Sequence, residues 1–197
     1  MKVKVTPSKV HGNVKIPASK SMAHRALICA SLSDGTSLVS NVTNSKDIEA
    51  TVGCMKALGA IIKQIDETTY EVTGTNLFKQ EGSITCNANE SGSTLRFLIP
   101  LAACTNAKVK FLGQGRLLQR PMDVYANEFK KQNIEFNQSD KEIIVSGNLQ
   151  AKDYVVQGDI SSQFITGFMF VLPLLDQDST LTITEPYESK SYVNLTI

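Results

Sequence analysis

Residues 91–103 read SGSTLRFLIPLAA, and this stretch decides the fold. Its large apolar residues are Leu95, Phe97, Leu98, Ile99 and Leu101. In a helix these side chains point in all directions, and such a helix is buried on every side. Pro100 comes late in the run, where a proline kinks or ends a helix. We therefore predict a central helix that the rest of the fold encloses.

The same pattern occurs elsewhere in the chain. Residues 161–175 read SSQFITGFMFVLPLL, again a nearly continuous apolar run with a late proline, Pro173. The helix starts at Lys20-Ser21, Gly92-Ser93 and Ser161-Ser162 lie about 70 residues apart. Regular recurrence of this kind indicates an internal repeat. We predict three repeats, arranged around central buried helices with sheets outside.

Each repeat is predicted to have the order β-α-β-α-β-β, which gives an α/β protein of the α+β type. The first has a strand at 12–17, a helix at 19–32, a strand at 36–42, a helix from 45 to Gly59, and strands at 61–66 and 69–73. The second has a strand at 83–86, a helix at 91–103, a strand at 108–112, a helix at 121–132 opened by Pro121, and strands at 134–137 and 142–146. The third has a strand at 154–157, a helix at 161–175, a strand at 179–184 and a helix from Ser189. We expect this third repeat to be incomplete, and the chain to be part of a longer protein.

Composition argues against several classes of protein. The chain has 197 residues and a net charge of +1, from 20 basic and 19 acidic residues. Such a balance does not favour broad attraction to nucleic acid or to a membrane surface. No apolar run reaches the roughly 18 residues of a membrane helix, and the N-terminus has no signal-peptide pattern. We expect a cytoplasmic protein.

Cysteine and histidine spacing does not predict a metal site. The residues concerned are Cys29, Cys54, Cys86, Cys104, His11 and His24. They form no CxxC pair or other ligand pattern, so we expect four reduced thiols in apolar surroundings and no metal. We interpret each histidine as solvent-facing or as part of polar packing.

The helix starts are the candidate site. Each carries hydroxyl residues, which are Ser19, Ser21, Ser91, Ser93, Ser161 and Ser162. Helix N-termini that converge at one edge of a domain form a site for phosphate or carboxylate; the alternative is that these serines only cap their helices. Basic residues that could join them are Lys20, Arg25, Arg96, Arg116, Arg120 and Lys190. The acidic residues Asp47, Glu49, Asp123 and Glu128 are interpreted as structural, at or near helix starts.

Five ordered motifs resemble the family of 5-enolpyruvylshikimate-3-phosphate synthase. They are residues 16–27 (IPASKSMAHRAL), 90–96 (ESGSTLR), 115–121 (GRLLQRP), 161–164 (SSQF) and 189–192 (SKSY). The resemblance implies an inside-out α/β barrel of the enolpyruvyl transferase type, with two domains of three repeats each and the active site between them. It also implies that residues 1–12 belong to the other domain, and that residues 13–197 form a shikimate-3-phosphate-binding domain truncated in its third repeat.

The resemblance further implies an activity. The enolpyruvyl group of phosphoenolpyruvate would be transferred to the 5-hydroxyl of shikimate 3-phosphate, and phosphate would be released, on the route to chorismate and the aromatic amino acids.

The resemblance also implies roles for single residues. Lys20 would contact both substrates, and Ser21 and Arg25 would bind shikimate 3-phosphate. Gly92 and Arg120 would border phosphoenolpyruvate together with Lys20. The residues implied to surround shikimate 3-phosphate are Ser161, Ser162, Gln163, Ser189 and Tyr192. The acid and base groups would come from the other half. No metal, organic cofactor, nucleic acid or membrane is implied, and the whole enzyme would be a monomer.

The sequence departs from the family pattern at two positions. Glu90 stands where the family commonly has asparagine, and Ser93 replaces threonine. A carboxylate at 90 would repel a bound anion, so we expect Glu90 to turn away or to pair with a neighbouring arginine.

Three rival functions stay open. The related UDP-N-acetylglucosamine enolpyruvyl transferases carry Ala-Lys-Asn where this chain has Ser19-Lys20-Ser21, and often a cysteine in the loop that here spans residues 114–119. The second rival is an RNA-binding or RNA-processing protein of similar repeat fold. The third is a catalytically silent anion-binding fragment.

Overall fold

The computed structural model describes residues 2–197, and its elements follow the predicted repeats. The first repeat comprises α1 (Lys20–Leu32), β1 (Thr36–Val39), α2 (Lys46–Ala57), β2 (Ile61–Gln64) and β3 (Tyr70–Thr73). The second comprises β4 (Glu81–Asn87), α3 (Gly92–Ala102), β5 (Asn106–Leu112), α4 (Asp123–Lys131), β6 (Glu135–Gln138) and β7 (Ile143–Ser146). The third comprises β8 (Asp153–Gln157), α5 (Ser162–Val171), β9 (Thr180–Thr184) and α6 (Lys190–Asn194). Short 3-10 turns occur at Leu77–Lys79, Leu117–Gln119 and Leu172–Leu174.

The strands form a separate sheet in each repeat. The orders are β1-β3-β2, β4-β5-β7-β6 and β8-β9. In the second and third repeats the first two strands pair in parallel, β4 with β5 and β8 with β9. The other strand pairs are antiparallel. Because a parallel pair needs a crossover, α3 and α5 connect these strands across the core.

Helices α3 and α5 pack against each other at the centre, as the apolar runs predict. Leu98 and Ile99 of α3 and Ile165 and Phe168 of α5 are fully buried. Tyr125 of α4 lies against α5, with ring centroids 5.0 Å from Phe164 and 5.4 Å from Phe168. We call α3, α5 and the side chains that pack on them the central helix pair.

Pro100 lies within α3, which continues for two residues beyond it. A proline has no N–H, so Pro100 cannot donate to the carbonyl of Arg96 one turn earlier. The hydroxyl of Tyr125 donates to that carbonyl instead, at 2.7 Å. Pro173 behaves as predicted, since α5 ends at Val171 and Pro173 lies in the 3-10 turn that follows.

The prediction of a strand at residues 12–17 is wrong, because the structure has no strand there. Residues 2–17 are exposed throughout and pair with no strand. In the second repeat the corresponding strand β4 pairs with β5, whereas here β1 pairs only with β3. Apolar alternation alone does not make a strand, because a strand needs an edge with which to hydrogen-bond.

Two smaller expectations also need correction. Pro121 does not open α4, which begins at Asp123 after the N-cap residue Met122. Glu128 lies in the later part of that helix, and its buried carboxylate pairs with Lys131 and Lys152. Its role is therefore an ion pair between α4 and the segment before β8, because the charge needs partners once it is buried.

Cys54, Cys86 and Cys104 are buried free thiols, whereas Cys29 is exposed on α1. Across residues 2–197 no helix is both long and apolar enough to cross a membrane. In the same residues no group of three or more His, Cys, Asp or Glu side chains is placed to hold a metal ion.

Candidate anion-binding site

The helix starts of the three repeats use one serine each as a cap. Ser19, Ser91 and Ser161 are the N-caps of α1, α3 and α5, and each Oγ accepts from a backbone N–H two or three residues later. The distances are 3.3, 3.2 and 3.3 Å. Capping therefore explains Ser19 and Ser91, whereas Ser161 caps α5 and also borders the cavity described next. Capping leaves the next hydroxyls along each helix available for another role.

Those hydroxyls meet in one cavity of about 360 Å³. Its lining residues are Ser21, Arg25, Ser93, Phe97, Ser161, Ser162, Gln163, Ser189 and Tyr192. Each repeat contributes, since the first turns of α1, α3 and α5 all face it. Seven of the ten residues expected from the resemblance are brought together here. Lys20, Gly92 and Arg120 lie outside this lining.

Arg25 forms one wall of the cavity and is almost fully buried. Its Nη1 donates to the carbonyl of Ser21 at 2.8 Å, and its Nη2 donates to the carbonyl of Tyr192 at 2.8 Å and to Thr166 Oγ1 at 3.2 Å. Its Nε donates to Thr196 Oγ1 at 2.8 Å. A guanidinium has five N–H donors, so one remains for a ligand. Arg25 thus holds α6 in place while it brings a positive charge to the wall.

Ser189 and Tyr192 enter the cavity from α6. Ser189 adopts a left-handed conformation with φ 54°, and its side chain makes no capping hydrogen bond. The carbonyl of Ser189 accepts from the backbone N–H of Tyr192 at 2.9 Å. The Ser189 hydroxyl is therefore free to meet a ligand at this side of the cavity.

A second basic group lies beside the cavity, around Gly92. A Cβ on Gly92 would stand 2.5 Å from Nη1 of Arg120 and 3.6 Å from Nη1 of Arg96. The absence of a side chain at Gly92 therefore lets the Arg120 guanidinium approach the start of α3, where Arg96 also lies. Burial lowers the pKa of Arg96, and the neighbouring charge of Arg120 lowers it further.

Lys20 stands at the start of α1 and is paired with Asp47 at the start of α2. Lys20 Nζ and Asp47 Oδ2 are 2.6 Å apart. In the described part of the chain, every ion pair joins a lysine to a carboxylate and none includes an arginine. Arg25 at the cavity wall, and Arg96 and Arg120 beside Gly92, therefore have no acidic partner. This favours the binding of an external anion.

Glu90 turns toward the loop that follows β5. Its Oε1 would stand 2.8 Å from a Cβ on Gly115, and Gly115 has φ +59°. Glycine is favoured at 115 because the backbone is left-handed there, and a side chain at this position would also displace the Glu90 carboxylate. Within residues 2–197 Glu90 has no ion-pair partner.

His24 lies beneath the helix starts in a buried hydroxyl chain. Its Nδ1 is 2.7 Å from Thr51 Oγ1, which is 2.7 Å from Thr94 Oγ1. Thr94 Oγ1 donates in turn to Ser91 Oγ at 2.7 Å. This is one of the two surroundings predicted for a histidine in this chain, polar packing, and it ties α1, α2 and α3 together.

Sequence reasoning missed the roles of several residues here. Phe97 lines the cavity, although its position in the sequence indicates only a core helix. Ser93, which also lines it, is one of the helix-start hydroxyls predicted to form the site. Asp47 holds Lys20 rather than acting only on the helix dipole. Helical spacing does place Ser93, Arg96 and Phe97 on neighbouring faces, but the partners of Arg96 and Asp47 are remote in sequence and left no local signal.

Comparisons with known proteins agree with the five motifs. A family model described as EPSP synthase (3-phosphoshikimate 1-carboxyvinyltransferase) matches residues 5–197. The chain is 47% identical over 198 residues to the 3-phosphoshikimate 1-carboxyvinyltransferase of Clostridium perfringens, covering 100% of this chain and 46% of that protein. It is 48% identical over 197 residues to the protein of the same name from Clostridium kluyveri, covering 99% and 46%.

A solved structure shares the fold. The chain superposes on an EPSP synthase from Acinetobacter baumannii with a TM-score of 0.77 and 19% identity, covering 93% of this chain and 42% of that one. This confirms the predicted fold of repeated units around buried helices. None of these matches supports the UDP-N-acetylglucosamine alternative. The chain spans about half the length of the relatives that it matches.

Proposed function

We propose, because the chain belongs to the EPSP synthase (3-phosphoshikimate 1-carboxyvinyltransferase) family, that its cavity binds shikimate 3-phosphate. The protein that contains it would transfer the enolpyruvyl group of phosphoenolpyruvate to the 5-hydroxyl of that substrate and release phosphate. Both substrates are small anions, which suits the arginines and helix starts described above. The proposal includes a monomeric, cytoplasmic enzyme.

One observation carries the proposal. Hydroxyl groups from three helix starts and the guanidinium of Arg25 face one cavity, and no carboxylate pairs with that guanidinium among the described residues. Helix N-termini and an unpaired cation favour a phosphate, whereas hydroxyls and an amide suit the hydroxyls of a ring. In this proposal Ser161, Ser162 and Ser189 bind the phosphate and ring oxygens, and Tyr192 borders the ring.

Phosphoenolpyruvate would bind beside Arg120 and Gly92. Arg120 provides a guanidinium that lies where a side chain at position 92 would stand, which brings its charge to the start of α3. Lys20, at the start of α1, would reach both substrates once it moves from Asp47. Positioning and neutralisation of charge are contributions that these residues can make to the transfer step. Proton transfer to the methylene carbon and from the 5-hydroxyl would fall to groups in the other half.

We also propose that residues 13–197 form the shikimate-3-phosphate-binding domain and that residues 1–12 pack on the other domain. Met1 lies outside the described residues. The support comes from the side chains of this segment: Val3, Val5 and Val10 are exposed here. Exposed apolar residues in series are typical of a surface that another part of a protein covers.

Calorimetric titration of the intact protein tests the substrate assignment. We expect binding of shikimate 3-phosphate, and no binding of UDP-N-acetylglucosamine or of a short RNA. Ser162→Ala should weaken binding of shikimate 3-phosphate, because a hydrogen bond to a charged group contributes about 1.5–3 kcal/mol, or about 10- to 150-fold in affinity. Ser83→Ala, an exposed serine on β4, is the matched control. Binding of UDP-N-acetylglucosamine in place of shikimate 3-phosphate would contradict the proposal.

A further inference from the structure

Arg96 contacts two consecutive residues of α5 across the boundary between repeats. Its Nη1 donates to Oε1 of Gln163 at 2.7 Å, and its guanidinium carbon lies 5.1 Å from the centre of the Phe164 ring. Gln163 lines the cavity, whereas Arg96 is outside the lining. Arg96 therefore contacts the cavity only indirectly, through its hydrogen bond to the amide of Gln163.

This contact determines how the amide is turned. A guanidinium has donors only, so the atom of Gln163 that faces Arg96 is the carbonyl oxygen. The Nε2 of Gln163 then lies on the other side, where it donates to Ser93 Oγ at 2.9 Å. That uses one of its two hydrogens, and in the described part of the chain the second hydrogen has no acceptor. Gln163 thus presents a donor to the cavity.

Arg96 itself is held from several directions. Its backbone carbonyl accepts from the Tyr125 hydroxyl, which replaces the N–H that Pro100 lacks. Its guanidinium is packed against Phe164 and lies beside Gly92. Its Nε is buried and has no partner within residues 2–197. Holding a guanidinium here beside another arginine is unfavourable, because burial and the like charge of Arg120 both disfavour the charged form.

We infer that Arg96 is a positioning residue that locks the Gln163 amide with its N–H₂ group toward the cavity. The cavity then selects a ligand with an acceptor at this point, such as a ring oxygen or a carboxylate oxygen. This inference rests on the proposed function for the identity of the ligand. The orientation of the amide is a property of the protein alone and can be measured without a ligand.

The first test follows the Gln163 side chain in the intact protein. Glutamine is labelled with ¹⁵N, and the Nε2 resonance of Gln163 is identified by its loss in Gln163→Met. In Arg96→Met we expect this resonance to shift toward that of a free glutamine amide, while Arg96→Lys keeps part of the difference because lysine still donates. The Nε2 resonance of Gln80, bonded to Thr75 on the first repeat, is the internal control. An unchanged Gln163 resonance in Arg96→Met would overturn the inference.

The second test is a double-mutant cycle on the affinity for shikimate 3-phosphate. Arg96→Met should weaken binding at least tenfold in the wild-type background and have no further effect in a Gln163→Met background. Equal losses in the two backgrounds would show that Arg96 does not act through Gln163. Lys63→Met, which removes a charge from an exposed strand of the first repeat, controls for net charge. If the wild-type protein does not bind shikimate 3-phosphate, the proposed function fails, while the resonance of Gln163 still decides the role of Arg96.

Discussion

The central helix pair and residues 2–17 carry similar apolar residues but have opposite surroundings. In α3 and α5, side chains such as Leu98 and Phe168 are fully buried. In the N-terminal segment Val10 is 96% exposed and Val14 is 87% exposed. The hydrophobic effect rewards apolar area only when it leaves water. Stability of this chain should therefore be concentrated in the helix pair and nearly absent from the first residues.

Removal of a ring from the helix pair should give the largest loss. Phe168 packs against Tyr125 and Tyr154, with ring centroids 5.4 and 5.0 Å away. Phe168→Ala should lower the free energy of unfolding by about 3–5 kcal/mol, from lost burial and the cavity left behind. Urea denaturation followed by circular dichroism measures it. Phe78→Ala, at a half-exposed ring, is the control, and equal losses would remove the distinction between core and surface.

Acidification should give a slightly smaller loss, through His24. Burial lowers the pKa of His24 to about 4, helped by the charges of Lys20 and Arg25 and opposed by Asp47. Because the folded-state pKa lies below the ordinary value of 6.5, the unfolded chain binds more protons between these two pH values. The free energy of unfolding should therefore fall by about 3 kcal/mol as the pH drops from about 6.5 to about 4.

The matching variant for this pH test is His24→Asn, which cannot titrate in that range. Denaturation midpoints of both proteins are measured at several pH values. The slope in the wild type should exceed the slope in the variant between about pH 6.5 and pH 4. Parallel pH profiles would mean that His24 does not remain neutral in the folded protein.

Tyr125→Phe tests the hydrogen bond rather than the packing of the helix pair. The ring remains, but the carbonyl of Arg96 loses its donor because Pro100 cannot supply one. A buried acceptor without a partner costs about 1–3 kcal/mol. Thermal denaturation should show this decrease. A Tyr125→Phe protein as stable as the wild type would indicate that another group satisfies that carbonyl.

Val10→Ser should give the smallest effect. Val10 is almost fully exposed, so its replacement should change the free energy of unfolding of this chain by less than about 0.5 kcal/mol. The same denaturation measurement checks it. A loss above about 1 kcal/mol, the size of one buried methylene or more, would mean that residues 2–17 pack on the domain after all.

Most of the fold could be predicted from the sequence because its signals are local. Apolar runs such as 91–103 identify buried helices, and serines such as Ser19 and Ser45 mark helix starts. The strand at 12–17 could not be judged in this way, because whether an alternating segment forms a strand depends on a neighbouring edge elsewhere in the fold.

In the candidate site, too, local features could be predicted from the sequence and contacts between remote residues could not. Ser21, Ser162 and Ser189 follow from helix starts and motifs, which are short-range features. The contacts of Arg96 with Gln163 and of Lys20 with Asp47 join residues 67 and 27 positions apart. Such pairs arise only once the repeats pack together, so spacing within one repeat did not predict them.

The four hydrogen bonds of Arg25 also indicate when the cavity wall assembles during synthesis and folding. Arg25 belongs to the first helix, whereas Tyr192 and Thr196 come 167 and 171 positions later. Contacts between remote residues form late in folding, since a long loop must close before they contribute. During synthesis, which proceeds at about 5–20 residues per second, α1 must wait roughly ten seconds or more for these partners. The cavity wall is therefore among the last parts of the domain to be assembled, although its arginine is among the first to be made.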